Sequence, residues 1–198
     1  MTAEFQLSHI GKLISVEDYL ASYYDAKILD YCKVCPNYGK TWACPPYDFD
    51  TRKFVARFSH AMLIGTKVVP STATRIQSTS AEARLALQKQ GIQAAWQSVR
   101  SFMMACEQRH PGAVSLCGPF ACHGCEGCTR PDGHPCLHPE LMRHSLESLG
   151  FDVGKTTTQL LGIDLQWASG VELPPYLTLV TMLLSTDKLD EDLKLLPC

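Results

Sequence analysis

The chain contains no long apolar run and no basic run, and no secretory leader is expected; each of these features points away from a class of protein. The most apolar late stretch, 176–184, is too short to cross a bilayer, which takes about 20 apolar residues in a helix. The stretch 1–20 has no continuous apolar core, so no signal peptide is expected. A formal net charge of -2 gives no electrostatic reason to expect nucleic acid as a partner. We therefore expect a cytoplasmic protein without a membrane or nucleic-acid partner.

Signatures of several enzyme classes are missing as well. No GxGxxG fingerprint, GxSxG elbow or HExxH helix occurs in the sequence. Internal repeats, linkers and low-complexity tracts are also absent, so we expect one domain over 1–198. A chain of this length can bury a core of its own, and it does not need disulfides or metal merely to fold.

Cysteine is the residue that the chain has in excess. Ten cysteines in a compartment expected to be reducing indicate metal ligation or catalysis rather than a disulfide framework. Most of them fall in two segments rich in glycine and proline, the first cysteine loop at 31–47 and the second cysteine loop at 117–139. Glycine and proline disfavour regular structure, so both segments are expected to be loops.

The spacing of these cysteines is typical of inorganic centres. The second loop contains C-x2-C-x2-C, the opening of the bacterial ferredoxin pattern, followed by a further cysteine after seven residues. The first loop contains C-x2-C-x8-C, and two of its cysteines precede proline, as a ligand cysteine does in ferredoxins. The candidate ligands are Cys32, Cys35, Cys44, Cys117, Cys122, Cys125, Cys128 and Cys136.

The type and number of centres stay open at this point. Eight thiolates would serve two [4Fe–4S] clusters, whereas omitting Cys117 leaves seven and one centre with an open position. Zinc favours the same ligand and is the alternative metal. The buried-thiol interpretation suits Cys106, on the apolar face of a predicted helix. The histidines near these cysteines are expected to donate N–H groups or to lie at the surface; they are His123, His134 and His138.

The remaining sequence predicts an α+β fold, with a small sheet packed against helices and the two metal-binding loops outside both. The predicted helices are 16–24, one capped by Asp48 or Asp50, 81–108 with a Thr79 and Glu82 capping box, 139–149, and one from Asp152 to Leu161. The predicted strands are 61–69, 163–167 and 176–184. Gly91, inside the long helix, is expected to mark a close contact.

Four segments resemble a prokaryotic family of predicted metal-binding proteins. They are YCKVCPNYGKTWACPPY, CGPFACHGCEGC, PCLHPELMRHSLESLGFDV and GKTTTQLLGIDL. The resemblance implies that seven of the cysteines bind metal and does not include Cys117 among them; it supplies no reaction. His144 stands where the family usually has a proline, which affects only the predicted helix 139–149.

Together these observations predict an iron–sulfur protein with one or two [4Fe–4S] clusters, serving as an electron carrier or electron-transfer subunit for a redox partner protein. Two alternatives remain. One is a zinc-binding structural or interaction module, and the other is an iron–sulfur enzyme with an open iron site. The sequence predicts neither the redox partner nor the oligomeric state.

Overall fold

The computed structural model describes residues 3–118 and 125–190. Within these ranges the strands are β1 (Phe5–Ser15), β2 (His60–Pro70), β3 (Val114–Leu116) and β4 (Leu177–Ser185). The α-helices are α1 (Val16–Tyr23), α2 (Ile28–Lys33), α3 (Thr51–Val55), α4 (Thr72–Ile76), α5 (Ala81–Arg109) and α6 (Val153–Thr156). Short 3-10 turns occur at Arg130–Asp132 and Glu147–Leu149, and a π turn follows α6 at Thr157–Leu161.

The four strands form one antiparallel sheet in the order β1-β2-β4-β3. Along β2, successive side chains enter opposite apolar layers, because neighbouring residues of a strand point to opposite faces. Leu63 joins one layer, and Met62 and Ile64 join the other. This two-sided burial explains why β2 and β4 are nearly continuous apolar runs in the sequence.

The first layer packs α1, α3 and the segment around α6 against the sheet. Tyr19 stacks on Phe151 with ring centroids 4.7 Å apart, and the hydroxyls of Tyr19 and Thr156 lie 2.9 Å apart in the core. Leu161 and Ile163 close this layer over Gly65, where a Cβ would lie less than 3 Å from both side chains. The chain from 150 to 163 is thereby fixed against β2.

The second layer is formed by α5, the longest helix. Ser80 caps it by accepting from the amide of Ala83 at 3.1 Å. Its buried face includes Trp96, Val99 and Met103, at the spacing that a helix needs to bury one side. Gly91 allows close approach to β1, because a Cβ there would lie 2.7 Å from Cε1 of Phe5.

The α+β class, α1, β2, α5 and β4 agree with the sequence predictions to within a residue or two. Asp50 caps α3 and Asp152 caps α6, as predicted, and Gly150 ends a helical turn in the left-handed conformation. The contact expected at Gly91 is also present.

Three local predictions were wrong, and two strands were missed. The stretch 139–149 is not a helix beyond the single turn Glu147–Leu149, because its side chains form specific contacts with the first cysteine loop. The predicted strand 163–167 is irregular, since Ile163 covers the sheet face instead of joining an edge. The cap of α5 is Ser80 rather than Thr79. The missed strands are β1 and β3.

Candidate metal centre

The first cysteine loop folds back on itself and brings its three thiols to one region. Cys32 lies in the last turn of α2, and its carbonyl oxygen accepts from the amide of Cys35 at 3.0 Å. Gly39, with a φ of 70°, donates its amide to the carbonyl of Pro45 at 2.8 Å. This hydrogen bond closes the loop just after Cys44, so that all three cysteines line the same cavity.

Burial and the neighbouring thiolates together shift the pKa values of Cys32 and Cys44. Burial raises the pKa of Cys32, and the thiolates of Cys44 and Cys35 raise it further. Burial also raises the pKa of Cys44; a hydrogen bond from Thr41 opposes this shift, and Cys35 adds to it. Without a cation the sulfurs of Cys32 and Cys44 therefore favour the protonated form, whereas metal binds thiolate and would supply the charge that stabilises it.

The side chain of Arg130, in the second cysteine loop, binds backbone carbonyl groups of the first cysteine loop. Its guanidinium donates to the carbonyl oxygens of Thr41, at 2.7 Å, and of Cys44 and Pro46. It also lies over the ring of Trp42, 5.2 Å from the centroid. A guanidinium has five N–H donors in a planar fork, which suits several carbonyls at once. The two cysteine loops are therefore in direct contact.

A further hydrogen bond and a charge interaction cross the same boundary between the two loops. Trp42 donates its indole N–H to the carbonyl oxygen of His134 at 3.2 Å. The pKa of Cys44 is lowered by the charge of Arg130 and raised by the thiolate of Cys128. Cys44 and Cys128, which belong to different loops, are thus electrostatic neighbours.

Three thiols of the second cysteine loop are neither fully exposed nor fully buried. Cys125, Cys128 and Cys136 are half-buried, and Cys122 and His123 lie outside the described residues. Across 3–118 and 125–190, no three Cys, His, Asp or Glu side chains stand in an arrangement that could hold a metal ion. The set of donors, soft thiols from two contacting loops, suits zinc and iron–sulfur clusters by its chemistry.

Cys117 lies in a different environment. Its side chain is 1% exposed at the end of β3, and its sulfur is 3.9 Å from the hydroxyl of Ser115. Burial raises its pKa, and its charged neighbours are Arg143 and Glu107. Its role as a ligand remains a prediction. Cys106 is buried on α5 and accepts from Arg109 at 3.4 Å, as its interpretation as a packed thiol predicts.

His144, noted in the sequence only as a departure from the family pattern, has a structural role at the site that was not predicted. It is buried, and its Nδ1 lies 3.2 Å from the carbonyl oxygen of Ala43 and 3.1 Å from the hydroxyl of Tyr47. Tyr47 in turn donates to the same carbonyl of Ala43 at 2.6 Å. These contacts fix the backbone next to Cys44 against a segment about 100 residues later, and nothing local in the sequence indicates them.

Of the histidines expected to donate N–H groups or to lie at the surface, His134 is exposed. The imidazole of His138 is exposed and lies 3.3 Å from the carboxylate of Glu140. Tyr38 lines the cavity beside the first-loop cysteines. None of these observations requires that a histidine binds the metal.

A cavity of about 550 Å³ opens beside the first cysteine loop. One wall carries Cys32, Cys35 and Cys44, and the facing wall comes from the chain around the turn Glu147–Leu149. Glu147 also lines this cavity and keeps accessible surface. Loss of water around its carboxyl group raises the pKa of that group. Its own amide and the hydroxyl of Ser145 oppose that shift. The segment with S-x-E-x-x-G-x-D-V, noted in the sequence only for its resemblance, is the signal that could have indicated this carboxyl.

In the described part of the chain, no helix is long and apolar enough to cross a membrane. Neither a curated protein nor a solved structure shows significant similarity to the chain. The family model described as "Predicted metal-binding protein (DUF2284)" matches residues 15–185, which include both cysteine loops, the strands β2, β3 and β4, and only the last residue of β1. The chain therefore belongs to this family of predicted metal-binding proteins.

Proposed function

We propose that the protein is an iron–sulfur protein that holds at least one [4Fe–4S] cluster where its two cysteine loops meet, and that it passes electrons to a redox partner protein. The observation that carries the proposal is the direct contact between the loops that hold Cys44 and Cys128, made by the hydrogen bonds of Arg130 to the first loop and of Trp42 to His134. A cluster of this kind needs four thiolates, and ligands from two contacting loops supply more than four.

The candidate ligands remain those of the two motifs. They are Cys32, Cys35, Cys44, Cys122, Cys125, Cys128 and Cys136, with Cys117 as a possible eighth. Bound there, a cluster would supply one-electron chemistry at a potential between about -700 and +450 mV, set by hydrogen bonds, charge and exposure.

The protein contributes exposure and positive charge to this site. Cys35 is exposed, and Cys44 and Cys128 are half-buried, so the loops lie at the surface, where a partner's redox centre can approach. Arg130 places a positive charge beside Cys44, which opposes the larger upward shift that burial gives to the pKa of that thiol. A guanidinium near thiolates offsets part of their negative charge, which favours a reduced, more negative centre.

The test is anaerobic reconstitution with iron and sulfide, followed by reduction and electron paramagnetic resonance. The proposal predicts visible absorption that bleaches on reduction and a resonance from a reduced cluster. Cys44→Ser should lose most of the signal of at least one centre, while Cys106→Ala, a matched loss of one buried thiol, should retain it. An intact signal in Cys44→Ser, or equal losses in both variants, contradicts the assignment of ligands.

A second candidate is an enzyme with an open metal position. The cavity beside three cysteines of the first loop favours it, because a substrate could reach the metal there. A change in the cluster's resonance on addition of a small ligand such as cyanide would favour this candidate. An unchanged resonance would favour a carrier whose irons are all saturated.

A zinc-binding module is the remaining alternative, and it would use the same thiols. Colourless protein that holds zinc and unfolds on chelation would support the zinc module and contradict electron transfer.

A further inference from the structure

The cavity next to the first cysteine loop has the size and lining of a site for a small organic molecule. Its volume of about 550 Å³ lies within the range of 300–1,000 Å³ that is common for ligand pockets. Its walls are largely aromatic and aliphatic. The side chains that form them include Tyr31, Tyr38, Phe151, Val153, Leu165 and Trp167.

Two aromatic side chains at this cavity are unusually exposed. Trp167 is 82% exposed and Tyr31 is 74% exposed, although both belong to residue types with large apolar surfaces. Exposed aromatics that line a concave, apolar surface are typical of sites that a ligand covers. Their polar atoms can meanwhile remain in water.

Three polar groups of the lining already serve the fold. Ser145 and Ser148 each accept from the other's amide at 3.1 Å, and Asp152 caps α6 by accepting from the amide of Lys155 at 2.8 Å. The two serine hydroxyls have little capacity left for a ligand, and one oxygen of Asp152 is committed to the helix cap. All three therefore have a structural role apart from any ligand.

Glu147 is different, because its known partners leave part of its carboxyl group open. It accepts from its own amide and from the hydroxyl of Ser145, whereas a carboxyl group offers about four acceptor positions. Within 3–118 and 125–190, no lysine or arginine forms an ion pair with it.

We propose that this cavity binds a small, largely apolar molecule of aromatic character that directs one N–H or O–H donor at the carboxyl of Glu147. The aromatic walls provide apolar contact, and the single acceptor provides orientation. The bound molecule lies beside Cys32, Cys35 and Cys44, so it would be next to any metal that these thiols hold. Binding in the cavity adds to the electron-transfer function and does not depend on metal.

The probe for this site is N-phenyl-1-naphthylamine, an uncharged dye with two aromatic ring systems and one N–H group. Its fluorescence rises in apolar surroundings. The full-length protein should bind one equivalent saturably, both without metal and after anaerobic reconstitution. A lack of saturable binding in both preparations overturns the proposal.

Two variants and one control locate the binding. Leu165→Trp fills the cavity and should weaken dye binding at least tenfold, whereas Leu85→Trp, at an exposed position of α5, should leave it unchanged. Glu147→Leu removes the acceptor and should weaken binding about fivefold to tenfold, the effect of one lost hydrogen bond. Circular dichroism of each variant establishes that it is folded. Equal affinity in Leu165→Trp and Leu85→Trp overturns the location of the site.

An analogue without the donor tests the role of Glu147 apart from folding. 1-Phenoxynaphthalene has an ether oxygen in place of the N–H group and should displace the dye from the wild-type protein only weakly. In Glu147→Leu the two compounds should bind equally. A wild-type protein that binds both compounds equally contradicts the role of Glu147. Dye binding in protein that never acquires iron contradicts the electron-transfer function alone.

Discussion

Arg130 donates a hydrogen bond of 2.7 Å to the carbonyl oxygen of Thr41, so a side chain of one cysteine loop satisfies the backbone of the other. The same guanidinium reaches the carbonyls of Cys44 and Pro46. These contacts fix the relative position of the two loops before any metal binds. They make the candidate centre a property of the fold rather than of either loop alone.

Replacement of Arg130 should therefore loosen the contact between the loops. Arg130→Ala removes hydrogen bonds to three carbonyls and is expected to lower the free energy of unfolding by about 2 kcal/mol. Arg130→Lys should recover only part of this loss, because one ammonium group cannot reach all three carbonyls in the same plane. Denaturant unfolding of both variants measures the effect. Lys89→Ala, at an exposed position of α5, is the control, and an equal change in the control would contradict the tethering role.

The buried ion pair between Glu107 and Arg143 should contribute strongly to stability. Their closest atoms are 2.5 Å apart, and each side chain is only 14% exposed. Glu107→Gln leaves the guanidinium without its carboxylate, and loss of one partner of a buried pair costs about 3 kcal/mol. Equilibrium unfolding in urea tests this, with Glu172→Gln as an exposed control. A loss below that of the control would show that the pair is not stabilising.

The same carboxylate should make stability depend on acid. Burial alone would raise the pKa of Glu107, but hydrogen bonds from Arg143 and Ser115 and the charge of Arg143 together lower it. The unfolded state therefore binds more protons than the folded state as pH falls. The contribution is complete above about pH 4.3, the ordinary range of the group, and disappears as pH falls through the lower folded pKa. Urea unfolding over this range should give a flatter pH profile for Glu107→Gln than for the wild type. Parallel profiles would contradict the shift.

His144 should add a second acid sensitivity at higher pH. Burial lowers its pKa; the hydrogen bond with Ala43 opposes the shift and the charge of Arg143 adds to it. The unfolded chain takes up a proton near pH 6.5 while the folded chain does not. Stability should therefore fall as pH drops from about 7 to 5.

The variant His144→Phe isolates the contribution of the imidazole to the pH dependence of stability, because phenylalanine keeps a ring beside Tyr47 and Phe49 but cannot titrate. Over the same pH range its unfolding free energy should fall less than that of the wild type, with a remaining dependence from His9, whose pKa burial also lowers. Nuclear magnetic resonance of the imidazole should give a pKa below the ordinary value. A value at or above the ordinary one would contradict burial in the neutral form.

Gly91→Ala should destabilise the protein although alanine favours helices. The helical preference is worth about 1 kcal/mol, but the new Cβ would lie 2.7 Å from the ring of Phe5. Moving a packed ring costs about 1–3 kcal/mol, so we expect a small net loss. Phe5→Leu combined with Gly91→Ala should recover stability relative to the sum of the single changes, as a thermal double-mutant cycle would measure. Strict additivity would contradict the contact.

The contact of Gly91 also illustrates what the sequence could and could not predict. A glycine inside an otherwise regular helical pattern indicated close approach, but its partner Phe5 lies on β1, which the sequence did not reveal. Along β1 exposed and half-buried side chains alternate, without the continuous apolar run that made β2 evident. Local pattern identified the strand that is buried on both faces and missed the strand at the edge.

The prediction of a helix over 139–149 was wrong for a different reason. The composition of this stretch suits a helix, but His144 contacts Ala43, and Ser145 and Ser148 bond to each other's backbone. The contact of His144 with the first cysteine loop and the local hydrogen bonds between the two serines replace the hydrogen bonds that a helix would form. Tertiary contacts of this kind override local propensity, and a single sequence does not display them.

The candidate site, like the fold, combines features that the sequence predicted with features that it did not. Spacing alone singled out the cysteines as candidate ligands, because ligands to one centre cluster within a few residues of a loop. The contact of one loop with the other, and the positions of Arg130, His144 and Glu147, depend on residues far apart in the chain. Only the fold brings these together.

The most direct test is the metal and sulfide content of protein purified without oxygen. The proposed function predicts about four irons and four acid-labile sulfides per chain for each cluster, and little zinc. Stoichiometric zinc without sulfide, or protein whose thiols bind neither metal, would contradict it.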